Sequence, residues 1–514
     1  MARQVARRWR AAAILGLAVI TLSSPALIGA SDDVQIPSAA VLQGARATAT
    51  APELGSSPAT APAPVAAMAT PAPATSSATT PAPATSSATA PVPATTPAPA
   101  TAVEPGRVDR SSLDLEATYE VAARLGYAAR TLRVDARLAV VNTSGEPIDR
   151  LELNTVAARL GAMRGLAVTV DGTAATASVS DQTIVVSLGG VLPAGASTSV
   201  RVRFTATLRS NVGGSDWLFT RANGIVDLYR WIPWISRPVP FDRANHGDPF
   251  VTPVSPRVRV TITSDRALRF ATTGRRTAVS ASGLVQTFLA EDVRDFAVTA
   301  SPDYRIRSVE VGDNLVRVFA RPGTSLAALS DRASWALRRL EALLGPYPYR
   351  TLTIAESAGG YGMEAPGLVW VPWGTGAGRY PFLVTHETAH QWFYGIVGND
   401  QAAEPFADEA PADFLARHLT SSRRASRCST ARLDLGIRGY SRACYYEVVY
   451  VQGGNLLDDL RRRMGSAVFW RAMRAYLEDN RWGLGSTRGL LDTLDDATPL
   501  DLAPTLAPRF PSLY

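Results

Sequence analysis

The hydrophobic period of this chain changes near Arg321-Pro322-Gly323, and that change constrains the fold more than any other feature of the sequence. Upstream, across residues 107–308, apolar and polar side chains alternate. Val200, Val202, Phe204, Ala206 and Leu208 are interleaved with Arg201, Arg203, Thr205 and Thr207, and Val258, Val260 and Ile262 repeat the pattern. A period of two marks strands with one buried face, and turn residues between many such runs predict an antiparallel sandwich or saddle. Downstream, Leu326, Leu329, Ala333, Leu337, Leu340 and Leu344 recur at spacings of three and four. That is one stripe of a helix, which Gly345-Pro346 ends. A strand at 351–355 and helices around 382–396, 405–419, 448–463 and 467–477 follow. Strands in one block and helices in another predict an α+β multidomain protein, with a β domain at 107–308 and a mostly helical domain at 309–514. Trp217, Trp231 and Trp234 of the β block read as core or interdomain packing before they read as a ligand surface.

Residues 1–30 place Arg3, Arg7, Arg8 and Arg10 before an apolar run and then small residues up to Ala30, the order of a signal peptide. The strongly apolar run covers about 12 residues against the roughly 20 that span a bilayer. Cleavage after Ala30 is therefore expected, with retention as a signal anchor the alternative. Residues 31–106 collapse to Ala, Pro, Thr and Ser, and TPAPATSSAT at 70–79 recurs at 80–89. This segment has too little apolar surface to fold. Its proline density makes it a semi-rigid spacer, suited to tether a domain to a membrane or cell envelope. The chain is thus expected to be exported, and extracellular or envelope-associated.

Arginine and lysine total 52 against 45 acidic residues, a net charge of +7. Every cation is an arginine, and four lie in the leader, so the body is nearly neutral and carries no nucleic-acid footprint. Cys428 and Cys444 are too few for a disulfide framework. In an exported chain they can pair with each other or stay as two buried thiols, and the sequence leaves both open.

His386-Glu387-Thr388-Ala389-His390 is an HExxH pattern inside a predicted helix. Positions i and i+4 share one face, so both imidazoles reach a single zinc ion. Glu387 projects beside that face, where a carboxylate can act as general base on a water. Eighteen residues separate His390 from Glu409, which lies in a second predicted helix. Two histidines and one carboxylate leave zinc an open position, the arrangement of a catalytic site and not of a closed structural one. Asp413, one turn further, reads as a solvated helix carboxylate, or else as a partner to a ligand. His246 and His418 have no ligand spacing and read as structural or surface residues.

HETAHQWFYGIVGND followed by EPFADEAPADF resembles the zinc helix and third-ligand helix of the membrane alanyl aminopeptidase family, gluzincin zinc metallopeptidases related to leukotriene hydrolase. Tyr361-Gly362-Met363-Glu364-Ala365 is similar to the family's GxMEN strand, and Tyr450-Val451-Gln452-Gly453 to its YxKG segment. Leu344-Gly345-Pro346-Tyr347-Pro348-Tyr349 and Gly247-Asp248-Pro249-Phe250 are similar as well, and the match spans about residues 107–500. The resemblance implies a thermolysin-like catalytic domain with one zinc per chain, held by His386, His390 and Glu409, and peptide substrates. It further implies Glu387 as general base, Tyr450 as donor to the oxyanion, and Gly362, Met363 and Glu364 as substrate-binding, Glu364 holding a free α-amine. Three positions depart from the pattern: Tyr361 for Gly, Ala365 for Asn and Gln452 for Lys. They fall around the substrate strand and the Tyr450 segment, and no zinc ligand is lost. The long helical C-terminal domain that many members carry has no counterpart after the catalytic domain, and if that domain roofs the cleft, a more open cleft is expected here. An aminopeptidase is the first expectation. An endopeptidase or small-substrate hydrolase on the same site, and a catalytically idle envelope protein whose β domain binds a partner, remain the alternatives. Oligomeric state has no signature in the sequence.

Overall fold

The computed structural model describes residues 102–241 and 248–514. The leader, most of the Pro-rich segment, His246 and Gly247 lie outside the described residues. Among those described, no helix is long and apolar enough to cross a membrane.

The period-two stretches form the expected strands. An eight-stranded sheet runs in the order Arg275–Val279, Val285–Ala290, Val258–Ser264, Leu115–Gly126, Thr131–Asn142, Ser197–Thr207, Arg164–Val170, Thr173–Ala175. All its pairings are antiparallel except Leu115–Gly126 with Val258–Ser264, which is parallel, so the antiparallel expectation needs one exception. Alternation does the packing. In Leu115–Gly126 the side chains of Leu115, Ala117, Tyr119, Val121, Ala123 and Leu125 are buried, each large one contributing about 1.5–3 kcal/mol by leaving water. Two four-stranded sheets complete this part. The three tryptophans are all buried. Trp234 stacks on Tyr119 at 4.1 Å, while Trp217 also reaches the edge of the cleft described below.

A fourth, five-stranded sheet follows, formed by β1 (Arg305–Val311), β2 (Asn314–Ala320), β3 (Thr351–Ser357), β4 (Met363–Ala365) and β5 (Leu368–Pro372) in the order β1-β2-β3-β5-β4. β2, β3 and β5 are parallel neighbours, and β4 returns antiparallel as the edge strand. Helix α1 (Leu326–Leu344) buries the predicted stripe of Leu329, Ala333, Leu337, Leu340 and Leu344. Ser325 caps it by accepting from Ala328 N at 3.2 Å, and Gly345, at φ +101°, ends it. α2 (Tyr380–Ala389), α3 (Phe406–Thr420), α4 (Gly453–Met464) and α5 (Ser466–Asp479) complete the main helices.

Two differences from the predicted helices bear on the site. α2 is shorter than expected, ending at Ala389 with His390 as its C-cap. The helix expected over 448–463 is divided, because residues Tyr446–Gln452 form a π-helical turn that runs into α4. The strand and helix parts are joined by a buried cation. Arg294, 1% exposed, donates to the carbonyls of Thr252, Gly395, Ile396 and Gly483 at 2.8–3.3 Å.

Candidate metal centre and cleft

α2 packs beneath the edge of the five-stranded sheet, and its C-terminal turn carries His386, Glu387 and His390. His390 keeps helical angles (φ −62°, ψ −10°) although the helix formally ends one residue earlier. The i, i+4 relation of the two imidazoles therefore survives. α3 crosses α2 and presents Glu409 from its first turn. His386 Nε2 and His390 Nε2 stand 3.3 Å apart, and Glu409 Oε2 stands 3.4 Å from each. Ligands on a tetrahedral zinc with bonds of about 2.0–2.1 Å are spaced by about 3.3–3.4 Å, which is the spacing found.

Two further details fit a cation at that point. Glu409 Oε2 is buried and, beyond the two imidazoles, has no hydrogen-bond partner. A buried carboxylate oxygen without a donor is costly unless a positive charge faces it. His390 Nδ1 lies 3.0 Å from Phe393 O, a contact that requires the proton on Nδ1 and leaves the Nε2 lone pair for a metal. Burial opposes ionisation of Glu409, yet the two imidazoles hold its carboxyl well below the usual range.

Glu387 points from the same helical turn toward β4. An added Cβ at Gly362 would lie 2.2 Å from Glu387 Oε1 and 2.7 Å from Leu383 Cδ1, so a larger residue here would displace those side-chain ends. Burial pushes the Glu387 carboxyl well above its ordinary pKa; His390 opposes this, and Glu364 and Glu409 add to it. Glu364, from β4, approaches Glu387 and His390 closely enough that one ligand atom of each lies within 4.8 Å of the others. Its carboxyl is also pushed up, by burial first.

Tyr450 is not a merely packed aromatic. Its ring stacks on His386 at 5.7 Å, and its hydroxyl donates to Glu409 Oε1 at 2.6 Å. The π-helical turn that presents it is fixed from outside. Glu447 accepts from Arg424 and Arg427 at 2.6–2.9 Å, and Gln452 donates to Cys428 O at 2.7 Å. Cys428 and Cys444 are joined in a disulfide, which resolves the two readings left open by the sequence. Gln452 thus anchors the turn through the segment that the disulfide closes.

These groups converge on a cleft of about 470 Å³. Met363, Glu364, Glu387 and Tyr450 line it together with the aromatic rings of Trp217, Tyr361 and Phe382. Tyr361 is 60% exposed and meets Trp217 edge-on at 6.3 Å. A larger groove, about 550 Å³, lies on the strand-rich part beside Arg107, Asp109, Asp149 and Arg150. Its charges pair with one another, Arg150 Nη1 with Asp109 Oδ1 at 2.8 Å, and no reactive constellation sits there.

One sequence expectation is corrected. Asp413 is not solvated but fully buried, in a bidentate pair with Arg417 at 2.5 and 3.0 Å. The helix face that carries Glu409 continues inward, and Arg417 at i+4 neutralises the carboxylate there. Sequence reasoning also missed three polar residues around the cleft. Gln391 Nε2 donates to Ala365 O at 3.0 Å while its Oε1 accepts from Gly367 N at 2.8 Å. This clamps the turn between β4 and β5 beside Ala365. The other two are Gln401, buried beside Glu364, and Arg230, buried against Gln401. His418 is structural as expected, stacking on Phe414 at 5.6 Å.

No family model matches this sequence, and no curated protein matches it. Solved structures match in fold. A point mutant of an M1 zinc metallopeptidase from Deinococcus radiodurans superimposes with a TM-score of 0.61 at 19% identity, over 79% of this chain and 96% of that one. The mutant enzyme bound to a Tyr-Ser-Ala substrate gives 0.60 at 19%, with the same coverage. A two-domain M1 zinc metallopeptidase mutant bound to L-tryptophan also gives 0.60 at 19%, over 79% and 96%. At this identity the likeness establishes the fold, and the chemistry has to be argued from the residues.

Proposed function

We propose that this chain is an exported zinc metallopeptidase of the aminopeptidase type. The observation that carries the proposal is the triangle of His386 Nε2, His390 Nε2 and Glu409 Oε2, with edges of 3.3–3.4 Å, set in a cleft beside two further carboxylates. Those three residues would hold one zinc ion per chain. When bound, the metal supplies a Lewis acid that polarises a carbonyl and makes a water a better nucleophile. Glu387 accepts the proton of the attacking water and passes it to the leaving amine. Tyr450 donates its hydroxyl to the carbonyl oxygen as negative charge develops there. Glu364 pairs with the substrate's α-ammonium, so that the scissile bond is the first peptide bond. Met363 and Gly362 supply the strand edge along which the peptide lies.

The bound Tyr-Ser-Ala and L-tryptophan of the structural relatives support peptide and amino-acid ligands for a cleft of this fold. Export is supported by the leader at 1–30, the spacer at 31–106 and the Cys428–Cys444 disulfide, which belongs to an oxidising compartment. The N-terminal segment then either releases the enzyme or tethers it to the envelope. A second reading, an endopeptidase on the same site, rests on Ala365 and on the cleft's reach to solvent at Tyr361. Metal removal tests the hydrolytic core of both readings. Chelation is expected to abolish peptide hydrolysis, and one equivalent of zinc per chain to restore it. Undiminished hydrolysis in protein with no detectable metal would overturn the proposal.

A further inference from the structure

Gln401 is 3% exposed and Arg230 is 5% exposed, and neither belongs to the metal site. Arg230 Nη2 donates to Gln401 Oε1 at 3.1 Å and to Tyr394 Oη at 2.9 Å. A guanidinium can only donate, so the Gln401 carbonyl oxygen must face Arg230. The amide's NH2 is then forced the other way. There it donates to Glu364 Oε1 at 3.2 Å and to Asp408 Oδ2 at 3.0 Å. Both are carboxylate acceptors, so the orientation is consistent at every contact. Asp408 is itself held by Asn399 Nδ2 at 3.3 Å and by the amide of Glu409 at 2.9 Å.

The same residues carry an unusual backbone. Arg230 has φ +42° and Tyr394 has φ +129°, conformations that side-chain-bearing residues rarely adopt and that cost about 1–3 kcal/mol each. The strained pair is locked by contacts: Arg230 also binds Thr252 Oγ1 at 3.2 Å and lies over the Phe250 ring at 4.1 Å, and Tyr394 donates to Asp295. Main-chain contact adds to this, since Gln401 N donates to Phe250 O at 3.0 Å. Arg230 bonds the Gln401 amide directly and Tyr394 bonds Arg230, so both strained residues back the amide that faces the substrate strand.

We propose that Gln401, aligned by Arg230, is the positioning residue that aims the Glu364 carboxylate at the substrate's α-amine. The proposal rests on the aminopeptidase reading of the site and names what sets its end-group specificity. An arginine from the strand-rich part thereby governs, through one amide, the residue that counts from the peptide's N-terminus. Gln401 touches no reacting atom, so its loss acts on binding of the amine and not on the chemical step.

The test uses the zinc-loaded full chain and an aminoacyl p-nitroanilide with a free amine. Gln401→Met is expected to raise KM by about ten- to hundredfold, the loss expected for a hydrogen bond to a charged group, with kcat changed by less than about threefold and zinc content unaltered. In a Glu364→Gln background the same substitution should add nothing, because its effect runs through Glu364. A fall in kcat at constant KM, no effect at all, or a KM effect that persists undiminished in the Glu364→Gln background would overturn the proposal. Should Gln401→Met not fold, Arg230→Lys keeps the charge and loses the fork. It is expected to raise KM in the same Glu364-dependent way, and an unchanged KM would overturn the proposal. Failure of the underlying reading looks different: the wild-type enzyme would then cleave free and acetylated substrates equally.

Discussion

Replacing Glu387 by glutamine is expected to lower kcat by about 10²–10⁴-fold, the usual contribution of a positioned general base, while zinc stays at one per chain. The two halves of that expectation come from different parts of the geometry. Glu387 is not among the three atoms that form the 3.3–3.4 Å triangle, so the metal site keeps all its ligands. Its carboxylate instead faces the cleft beside Gly362 and Glu364. Glutamine preserves the shape and removes the proton acceptor. Metal content measured alongside steady-state kinetics checks both halves. A variant that retains more than about a tenth of wild-type kcat would deny Glu387 the role of base. A variant that loses its zinc would mean the carboxylate serves the metal site instead.

The second large effect comes from a position with no functional group. Gly362→Ala places a methyl where Glu387 Oε1 already stands, 2.2 Å away. Something must move. The strand is pinned, because Gln391 clamps the Ala365–Gly367 turn and β4 pairs with β5. The Glu387 side chain is the part free to yield. Displacing a catalytic group by about 1 Å costs about a hundredfold in rate, so kcat is expected to fall by that order with metal binding and thermal midpoint nearly unchanged. Unimpaired kcat in Gly362→Ala would mean that Glu387 does not occupy its position against Gly362 in the working enzyme.

How far the sequence could anticipate this site depends on whether a feature is local. His386, Glu387 and His390 lie within five residues, and helical spacing alone puts both imidazoles on one face. Glu409 follows at a fixed offset on the next long helix, and its Oε2 stands 3.4 Å from both imidazoles. The stripe on α1 and the alternation in Leu115–Gly126 were equally readable, since period and burial are the same information. What the sequence hid is tertiary. Arg230 and Gln401 are 171 positions apart, and nothing in either segment marks an amide whose orientation matters. The π-helical turn at Tyr446–Gln452 is seven residues long, too short for its period to be told from that of an α-helix. Pairing of Cys428 with Cys444 required their Cα atoms to stand 5.8 Å apart, a distance that only the fold sets. Asp413 carried one usable clue, Arg417 at i+4, but an acidic residue on a helix is exposed more often than not. The expected disposition followed that average and missed the buried pair.

The three departures from the pattern that the motifs resemble gain physical content from these placements. Ala365 loses the asparagine side chain but keeps its main chain in place through Gln391. Gln452 replaces a lysine and holds the Tyr450 turn through Cys428 O, while its Oε1 accepts from Arg509 at 2.7 Å. Tyr361, where a glycine is expected, becomes an exposed ring at the mouth of the cleft. None of the three touches the metal triangle. Under the proposed function, Ala365 and Tyr361 bear on the substrate strand and Gln452 on the placement of Tyr450.

The central claim is therefore about the end of the substrate as much as about the metal. One tripeptide, offered to the zinc-loaded enzyme with a free and with an acetylated N-terminus and followed by mass spectrometry of the products, tests it most directly. The account predicts release of the N-terminal amino acid from the free peptide and no measurable cleavage of the acetylated one. Equal rates for both, or cleavage of the acetylated peptide at its internal bond, would contradict it.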